Sequence, residues 1–405
     1  MRANRAGGIY LHIPFCERKC HYCAFLSGKS TEAEREQYVR ALIREIETRT
    51  FHLRGKNGED AHFPSVLMDT VFFGGGTPSL LTPEQIGRIL AVLRTHFSIT
   101  PDAEITMEAN PGTLTREKLE GYRAAGVNRL SMGVQSMDDE RLRFLGRIHT
   151  AADVIREYRE ARESGFENIN LDLIFAVPGM TLADAEEDVR RILDLEPEHV
   201  SFYSLQLEEG TDFFRAFEAG RLREVPDEVD RAMYHRGAAL FREAGYEHYE
   251  ISNFAKPGYR SRHNGKYWSM NPYLGFGLGA SSYIGFGPEL SRLMDGVRAV
   301  REINETDLET YTGKALSGES TVFERTINEP GDDISEAVFT GLRRKEGIGY
   351  EEILETEEAF WAYYASEREE AEAFARDGFL EMTKEGLRLT EAGIDISNRI
   401  MALFV

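Results

Sequence analysis

The chain has 405 residues, 41% of them apolar and 29% charged, which describes a globular protein with one large domain and a smaller companion. Its net charge is −21, from 48 basic against 69 acidic residues; that disfavours a broad nucleic-acid footprint, whose affinity rests on neutralising phosphates. Three cysteines, an odd number, argue against a disulfide framework, and no run of about 18 apolar residues predicts a membrane-spanning helix.

Met1 to Gly8 is basic but lacks the apolar core and small-residue cleavage site of a signal peptide. A cytoplasmic protein is expected, with peripheral association at a membrane left open. Ile9–Ile13 reads as the first strand. It runs into a loop that holds every cysteine of the chain: Cys16, Cys20 and Cys23, spaced Cys-x3-Cys-x2-Cys. Thiolates are soft ligands that suit zinc or iron–sulfur clusters. A structural zinc would take His12 or His21 as its fourth ligand, but such sites usually carry a second cysteine pair, and none exists here. Three thiolates can instead hold three irons of a cubic cluster and leave the fourth open to a substrate or cofactor.

Glu32–Arg54 reads as an amphipathic helix and Thr70–Phe73 as the second strand, ending in Gly74-Gly75-Gly76-Thr77-Pro78. This run is neither a Walker loop nor a dinucleotide fingerprint. Glycines let a ligand approach the backbone, and their carbonyls suit an ammonium group, although a plain turn explains such a run equally well. Pro83–Phe97 is helical, and Glu104–Glu108 is a strand ending at Asn110-Pro111-Gly112. Then follow a helix near Arg116–Ala125, a strand at Arg129–Val134, a helix at Ala151–Ser164, a strand at Ile169–Val177 and a helix at Leu182–Leu195. Val200–Leu205 is the sixth strand, and Asp227–Ala244 a further helix.

Such alternation needs parallel strands with helical crossovers, as an open doubly wound sheet or a β/α barrel. The polar residues favour the barrel. Cys16, Gly75, Glu108, Gln135, Asp172 and Tyr203 end or follow successive strands, and a barrel converges those ends on one site. Glu108 and Asp172 can accept from ribose hydroxyls, and Arg147 can clamp a carboxylate. Taken singly, each reads equally well as a solvated loop residue.

From about residue 290 the pattern changes. Glu336–Arg344, Tyr350–Leu354 and Ala359–Arg376 read as helices, Phe379–Met382 and Leu387–Leu389 as a hairpin around Lys384-Glu385-Gly386, and Ala392–Leu403 as a closing helix. Helices followed by a hairpin suggest a small winged-helix-like α+β domain. Glu351, Glu352, Glu355, Glu357 and Glu358 make it a poor phosphate binder. The expected division is residues 1–290 and 291–405.

Cys16, Cys20, Tyr22 and Cys23 match Cys-x3-Cys-x-aromatic-Cys, and here the chain resembles the radical S-adenosylmethionine (SAM) superfamily. The resemblance implies an α/β fold built on a partial (β/α)6 barrel. It also implies a [4Fe-4S] cluster on Cys16, Cys20 and Cys23, with SAM chelated at the open iron and cleaved to a 5′-deoxyadenosyl radical. Tyr10-Leu-His-Ile-Pro-Phe-Cys, Gly-Gly-Gly-Thr-Pro-Ser, Glu-Ala-Asn-Pro-Gly-Thr, Gly-Val-Gln-Ser and Asp172-Leu-Ile narrow it to oxygen-independent coproporphyrinogen III oxidase and its relatives. By that likeness, SAM-site roles fall on Tyr10, Tyr22, Gly75, Gly76, Thr77, Glu108, Gln135, Arg147 and Asp172.

The oxidase carries a further cysteine two residues after the third, where this chain has Phe25. Phe25, together with His263-Asn264-Gly265-Lys266-Tyr267-Trp268, resembles the HemW-type haem chaperones instead. That likeness implies a haem site of His263, Asn264, Tyr267 and Trp268. His263 would be an axial ligand, the two aromatic rings would pack on the macrocycle, and Lys266 or Arg262 would meet the propionates. Read without the resemblance, His263 is better taken as capping a loop, with Tyr267 and Trp268 in the core. Two positions depart from the relatives: Ala24 stands where they have Asp, and Ser281 where they have His. The implied function is a haem carrier without coproporphyrinogen oxidase activity. The alternatives are that oxidase or a two-SAM methyltransferase or cyclopropanase. The implied partners are haem, an acceptor protein (a respiratory one is a candidate), an electron donor and, as an option, a second copy of the chain, but no nucleic acid.

Overall fold

Thr31, Thr82, Thr150 and Thr181 each open a helix with a capping box, the hydroxyl accepting from the N–H three residues on while that residue's side chain returns to the threonine N–H. These caps start the helices Glu32–Thr48, Pro83–His96, Ala151–Glu163 and Leu182–Leu193, each of which leads from one strand of a sheet to another. The computed structural model describes residues 6–55, 57–62, 66–289 and 296–405.

The strands β1 (Gly7–Ile13), β2 (Met68–Gly75), β3 (Ile99–Ala109), β4 (Arg129–Gln135), β5 (Ile169–Phe175) and β6 (His199–Ser204) pair in parallel in that order. They are the six strands of a partial β/α barrel. On one flank, β7 (Glu247–Glu250) and β8 (Asn253–Ala255) add to β6 in antiparallel fashion. On the other, β9 (Tyr273–Phe276) pairs in parallel with β1, and β10 (Ser281–Ile284), β11 (Val300–Asn304) and β12 (Val322–Ile327) follow antiparallel. The result is one 12-stranded sheet whose end strands do not pair with each other, so the barrel stays open.

Side chains alternate across each strand. In β1, Ile9, Leu11 and Ile13 are fully buried in the apolar core, while Tyr10 and His12 face inward. The interior face of the other strands is polar, with Thr70, Glu104, Thr106, Glu108, Arg129, Ser131, Asn170, Asp172, His199 and Ser201. Buried side-chain hydrogen bonds run across it, among them Asn170 Nδ2 to Ser131 Oγ at 2.7 Å and His199 Nδ1 with Asn170 Oδ1 at 2.6 Å.

The helix expected over Glu32–Arg54 ends at Thr48, and His52–Arg54 pairs with Asp60–His62 as a short hairpin. A tertiary network outweighs helix propensity there. Arg49 turns extended, and its guanidinium meets Glu45 and Glu302, both at 2.9 Å. Glu45 also accepts from Gly277 N, Asn304 Nδ2, Tyr311 OH and Thr321 Oγ1, which ties the first helix to β11 and to the helix Leu308–Ser317.

The expected division at residues 290 and 291 lies outside the described residues. Beyond it, β11 and β12 still belong to the large sheet, so membership of that sheet ends at Ile327. Their antiparallel return carries no strand–helix alternation, and the sequence pattern missed them. The winged-helix-like α+β unit follows, with helices from Pro330–Gly341 onward and a three-stranded sheet in the order Ile348–Gly349, Gly386–Leu389, Leu380–Met382. The stretch Ala359–Arg376 is two helices, Glu357–Tyr363 and Arg368–Arg376, and the closing helix is likewise split into Glu391–Asp395 and Ser397–Ala402. Among the described residues no helix is long and apolar enough to cross a membrane.

Replacing Arg49 strands two buried carboxylates. Arg49→Met is expected to cost about 3–5 kcal/mol in urea unfolding, whereas Arg116→Met, at an exposed pair with Glu163, is expected to cost under about 1 kcal/mol. Equal effects of the two substitutions would contradict this account of the network.

Candidate functional site

The loop that follows β1 is held by its backbone. Cys16 N donates to Gly28 O at 2.8 Å, Gly28 N to Pro14 O at 2.9 Å and His21 N to Leu145 O at 3.1 Å. His12 Nε2 lies 2.9 Å from Leu26 O and pins the far side of the loop. Cys16, Cys20 and Cys23 are unpaired and half-buried. Burial pushes the Cys23 thiol up; the Phe25 backbone opposes this, and the neighbouring Cys20 and Cys16 add to it. A thiol held up by its two neighbours in this way suits a cationic cluster, which would favour the thiolate. Among the described residues no three His, Cys, Asp or Glu side chains converge as a single-ion site.

The glycine run closes against this loop. Gly76 N donates to Ile13 O at 2.8 Å and Thr77 N to Phe15 O at 2.7 Å. Gly75 has φ +108, and a Cβ there would lie 2.5 Å from His12 Cε1, so only glycine fits. Side chains then form a chain from one cysteine to another. Thr77 Oγ1 donates to Cys16 Sγ at 3.5 Å and accepts from Asn110 Nδ2 at 2.7 Å. Asn110 Oδ1 accepts from Arg147 Nη2 at 2.6 Å, and Arg147 Nη1 donates to Cys20 Sγ at 3.5 Å. Arg147 also donates to Gly133 O at 2.7 Å, at the end of β4.

Two carboxyl groups line the lumen beneath. Glu108 accepts from Gly75 N at 3.0 Å. Burial and the charge of Asp172 push its carboxyl up to about 8, against the pull of Gly75 N–H and Arg129. Burial raises Asp172 too, although Asn170 Nδ2 donates to it at 2.7 Å. Burial also raises Tyr203, yet this side chain is 39% accessible. At the end of β4, Gln135 has φ 70, a conformation uncommon for a residue with a side chain.

Contacts thus join Cys16, Cys20, Cys23, Tyr22, Gly75, Gly76, Thr77, Glu108 and Arg147, with Gln135 at the end of β4 and Asp172 midway along β5. Tyr10 sits deeper, its hydroxyl 3.1 Å from His12 Nδ1. Sequence reasoning missed His12 as the pin of the loop and Asn110 as the hub of the chain. The place of Asn110 directly after Glu108-Ala109 was the available signal.

The His263 segment lies at the opposite end, under the feet of β1, β2 and β3. It forms the short helix Arg262–Trp268, whose first N–H groups, those of Arg262 and His263, donate to Glu104 at 3.1 Å each. His263 is 1% exposed. Its Nδ1 meets Thr70 Oγ1 at 2.8 Å, its Nε2 meets Tyr267 OH at 2.9 Å, and its ring stacks on Phe72 at 5.0 Å. Burial lowers its pKa to about 3. Here His263 and Tyr267 plug the foot of the barrel, and Gly8 leaves room for the imidazole, 3.1 Å from where a Cβ would stand. Trp268 lies under Arg343 of the C-terminal unit at 4.5 Å, and Asn264 N donates to the capping Ser261 Oγ. Lys266 and Arg262, expected to meet propionates, are instead committed to Asp69, at 2.5 and 3.1 Å. Packing of this helix against the strand feet turned both cations towards that carboxylate.

Residues 10–192 match the Radical SAM superfamily, and residues 329–396 match the HemN C-terminal domain. A protein of Bacillus subtilis (strain 168) named heme chaperone HemW is 34% identical over 400 residues, covering 98% of each chain. One of the same name from Escherichia coli (strain K12) is 38% identical over 282 residues, 69% of this chain and 70% of its own. The solved structure of coproporphyrinogen III oxidase (HemN) from Escherichia coli superposes with a TM-score of 0.80 at 24% identity, over 99% of this chain and 90% of that one, and so shares the fold.

The pH dependence of stability tests the Glu108 environment. Unfolded, this carboxyl titrates near 4.5; folded, it keeps its proton to about 8. The folded state binds the extra proton in between, so the destabilising contribution is absent below about pH 4.5 and grows as pH rises to about 8. Glu108→Gln is expected to flatten that part of the profile in urea unfolding of the cofactor-free protein. Parallel profiles for wild type and variant would count against the raised carboxyl.

Proposed function

We propose that this chain, which belongs to the HemW family of radical SAM proteins, is a haem carrier that binds haem and passes it to an acceptor protein. The observation that carries the reading is the likeness to a protein named heme chaperone over 98% of both chains. Phe25 supports it, standing 65% exposed on the cysteine loop where the oxidase has a further cysteine.

In this reading Cys16, Cys20 and Cys23 hold a [4Fe-4S] cluster, and SAM lies against Gly75, Gly76 and Thr77. The bound cluster supplies the electron for SAM cleavage. The chain's own residues position and shield. Thr77 and Arg147 donate to cysteine sulfurs and soften their charge. Glu108, protonated at neutral pH, can donate as well as accept at the lumen wall. Gln135 and Asp172 face the nucleoside, Arg147 the methionyl carboxylate, and Tyr10 and Tyr22 flank the site.

The haem site comprises His263, Asn264, Tyr267 and Trp268. Both nitrogens of His263 are hydrogen-bonded, so Nε2 reaches iron only after the Tyr267 hydroxyl leaves it. Haem uptake therefore goes with a local rearrangement of the helix Arg262–Trp268. The acceptor is a haem protein of the same reducing compartment, the cytoplasm or the membrane surface facing it. An electron donor serves the cluster, and self-association is an option for the transfer step.

A haem titration followed at the Soret band tests the site. Wild type is expected to bind, His263→Ala to lose the axial signature, and Tyr267→Phe, which frees Nε2, to bind at least as tightly. Unchanged band position and affinity in His263→Ala would remove His263 from the site. The oxidase is the second reading, favoured by the complete cysteine and glycine face. Anaerobic assay with coproporphyrinogen III is expected to yield no protoporphyrinogen, and robust turnover would overturn the carrier reading.

A further inference from the structure

Arg129 opens β4 and points into the barrel. It is 2% exposed, among the largest fully buried side chains of the chain. Its Nε has no hydrogen-bond partner, and the guanidinium makes no hydrogen bond or ion pair among the described residues. An arginine cannot shed its proton at ordinary pH, and burying an unpaired cation is costly. Among the described residues no carboxylate is therefore seated on this guanidinium.

The hydrogen bonds of the neighbouring carboxyl groups go to other partners. Glu104 is engaged with the backbone N–H groups of Arg262 and His263. Glu108 and Asp172 feel the charge of Arg129 without bonding to it: Glu108 accepts from Gly75 N and Asp172 from Asn170 Nδ2. His199 is closed between Asn170 Oδ1 at 2.6 Å and Tyr249 OH at 2.7 Å, and His263 between Thr70 and Tyr267. Beside Arg129 stands Thr106, its register partner on β3. The Thr106 hydroxyl is also buried without a hydrogen-bond partner. Two unsatisfied groups thus sit side by side on the inner wall, one a fork of five donors and one a hydroxyl.

We infer that Arg129 and Thr106 form an anion site inside the barrel that takes a carboxylate of a bound ligand. The planar guanidinium matches a carboxylate in two parallel hydrogen bonds, and the threonine hydroxyl adds a third donor. Of the ligands of the proposed function, haem carries such a group in its propionates, whereas the methionyl carboxylate of SAM belongs to Arg147 at the other end of β4. The inference rests on the carrier reading.

The test compares haem with its dimethyl ester on the cluster-reconstituted protein, and measures SAM binding in parallel. If the site takes a propionate, wild type binds haem about ten- to a hundredfold more tightly than the diester, the range of a charge-assisted hydrogen bond. Arg129→Met abolishes that preference, and Arg129→Lys recovers part of it. SAM binding is expected to be unchanged in both variants. Ligand-free Arg129→Met unfolds at a higher urea concentration than wild type, because a buried cation without a hydrogen-bond partner is gone; a merely structural arginine would shift it lower. Equal haem and diester affinities in wild type would overturn the site, and that comparison stands even if the variant fails to fold. Weakened SAM binding in Arg129→Met with the haem-to-diester ratio unchanged would overturn it likewise. A wild type that binds neither haem nor diester would instead remove the carrier reading, and the site with it.

Discussion

The face that carries the chemistry depends on one chain of hydrogen bonds. It starts at Cys16, passes through Thr77, Asn110 and Arg147, and ends at Cys20. Its members come from the loop after β1, the turn after β2, the end of β3 and the segment beyond β4. None of these segments is a regular element where it touches the next, so backbone pairing alone would not fix them. The chain converts parallel register, which only brings strand ends to one side, into fixed positions for two sulfurs. Asn110 at its middle donates with its Nδ2 and accepts with its Oδ1, and so links Thr77 to Arg147.

Below that face the barrel is polar, and the two ends of the molecule touch through it. Leu26 O in the cysteine loop contacts His12, whose ring contacts the Tyr10 hydroxyl. Tyr10 stacks towards His263 at 6.5 Å, and His263 holds Tyr267. β1 thus carries the cysteine loop at its top and the contact with the His263 helix at its foot. Any movement that frees His263 disturbs packing against Tyr10 and Phe72. The C-terminal unit reaches the same helix from outside, through Arg343 over Trp268. Its Arg343 also approaches the buried Glu250 at 3.5 Å.

Much of this was readable before any coordinates. The period of two in β1 and the threonine caps ahead of apolar helices specify strand and helix locally, because sterics and capping act over a few residues. The cysteine spacing and the glycine run are local as well, since a ligand set on one loop is a local property. What escaped was long-range. The helix after Thr31 looked continuous to Arg54, but Arg49 left it for Glu302, far along the chain. The strands β11 and β12 showed no hydrophobic pattern, because β11 buries the polar Glu302 and Asn304 at its inward positions and β12 is exposed along nearly its whole length.

The sequence by itself determined the alternation of strand and helix, the three-thiol loop, the glycine shelf and the family likeness, all of which rest on residue type and short spacing. Only the tertiary structure decided what the buried polar groups do. It closed both nitrogens of His263, turned Lys266 and Arg262 to Asp69, gave Arg147 to Cys20 and Asn110, and left Arg129 Nε without a hydrogen-bond partner. The physical reason is that a buried charge or hydrogen-bonding group takes its behaviour from the partners placed beside it, and those partners come from strands far apart in the chain.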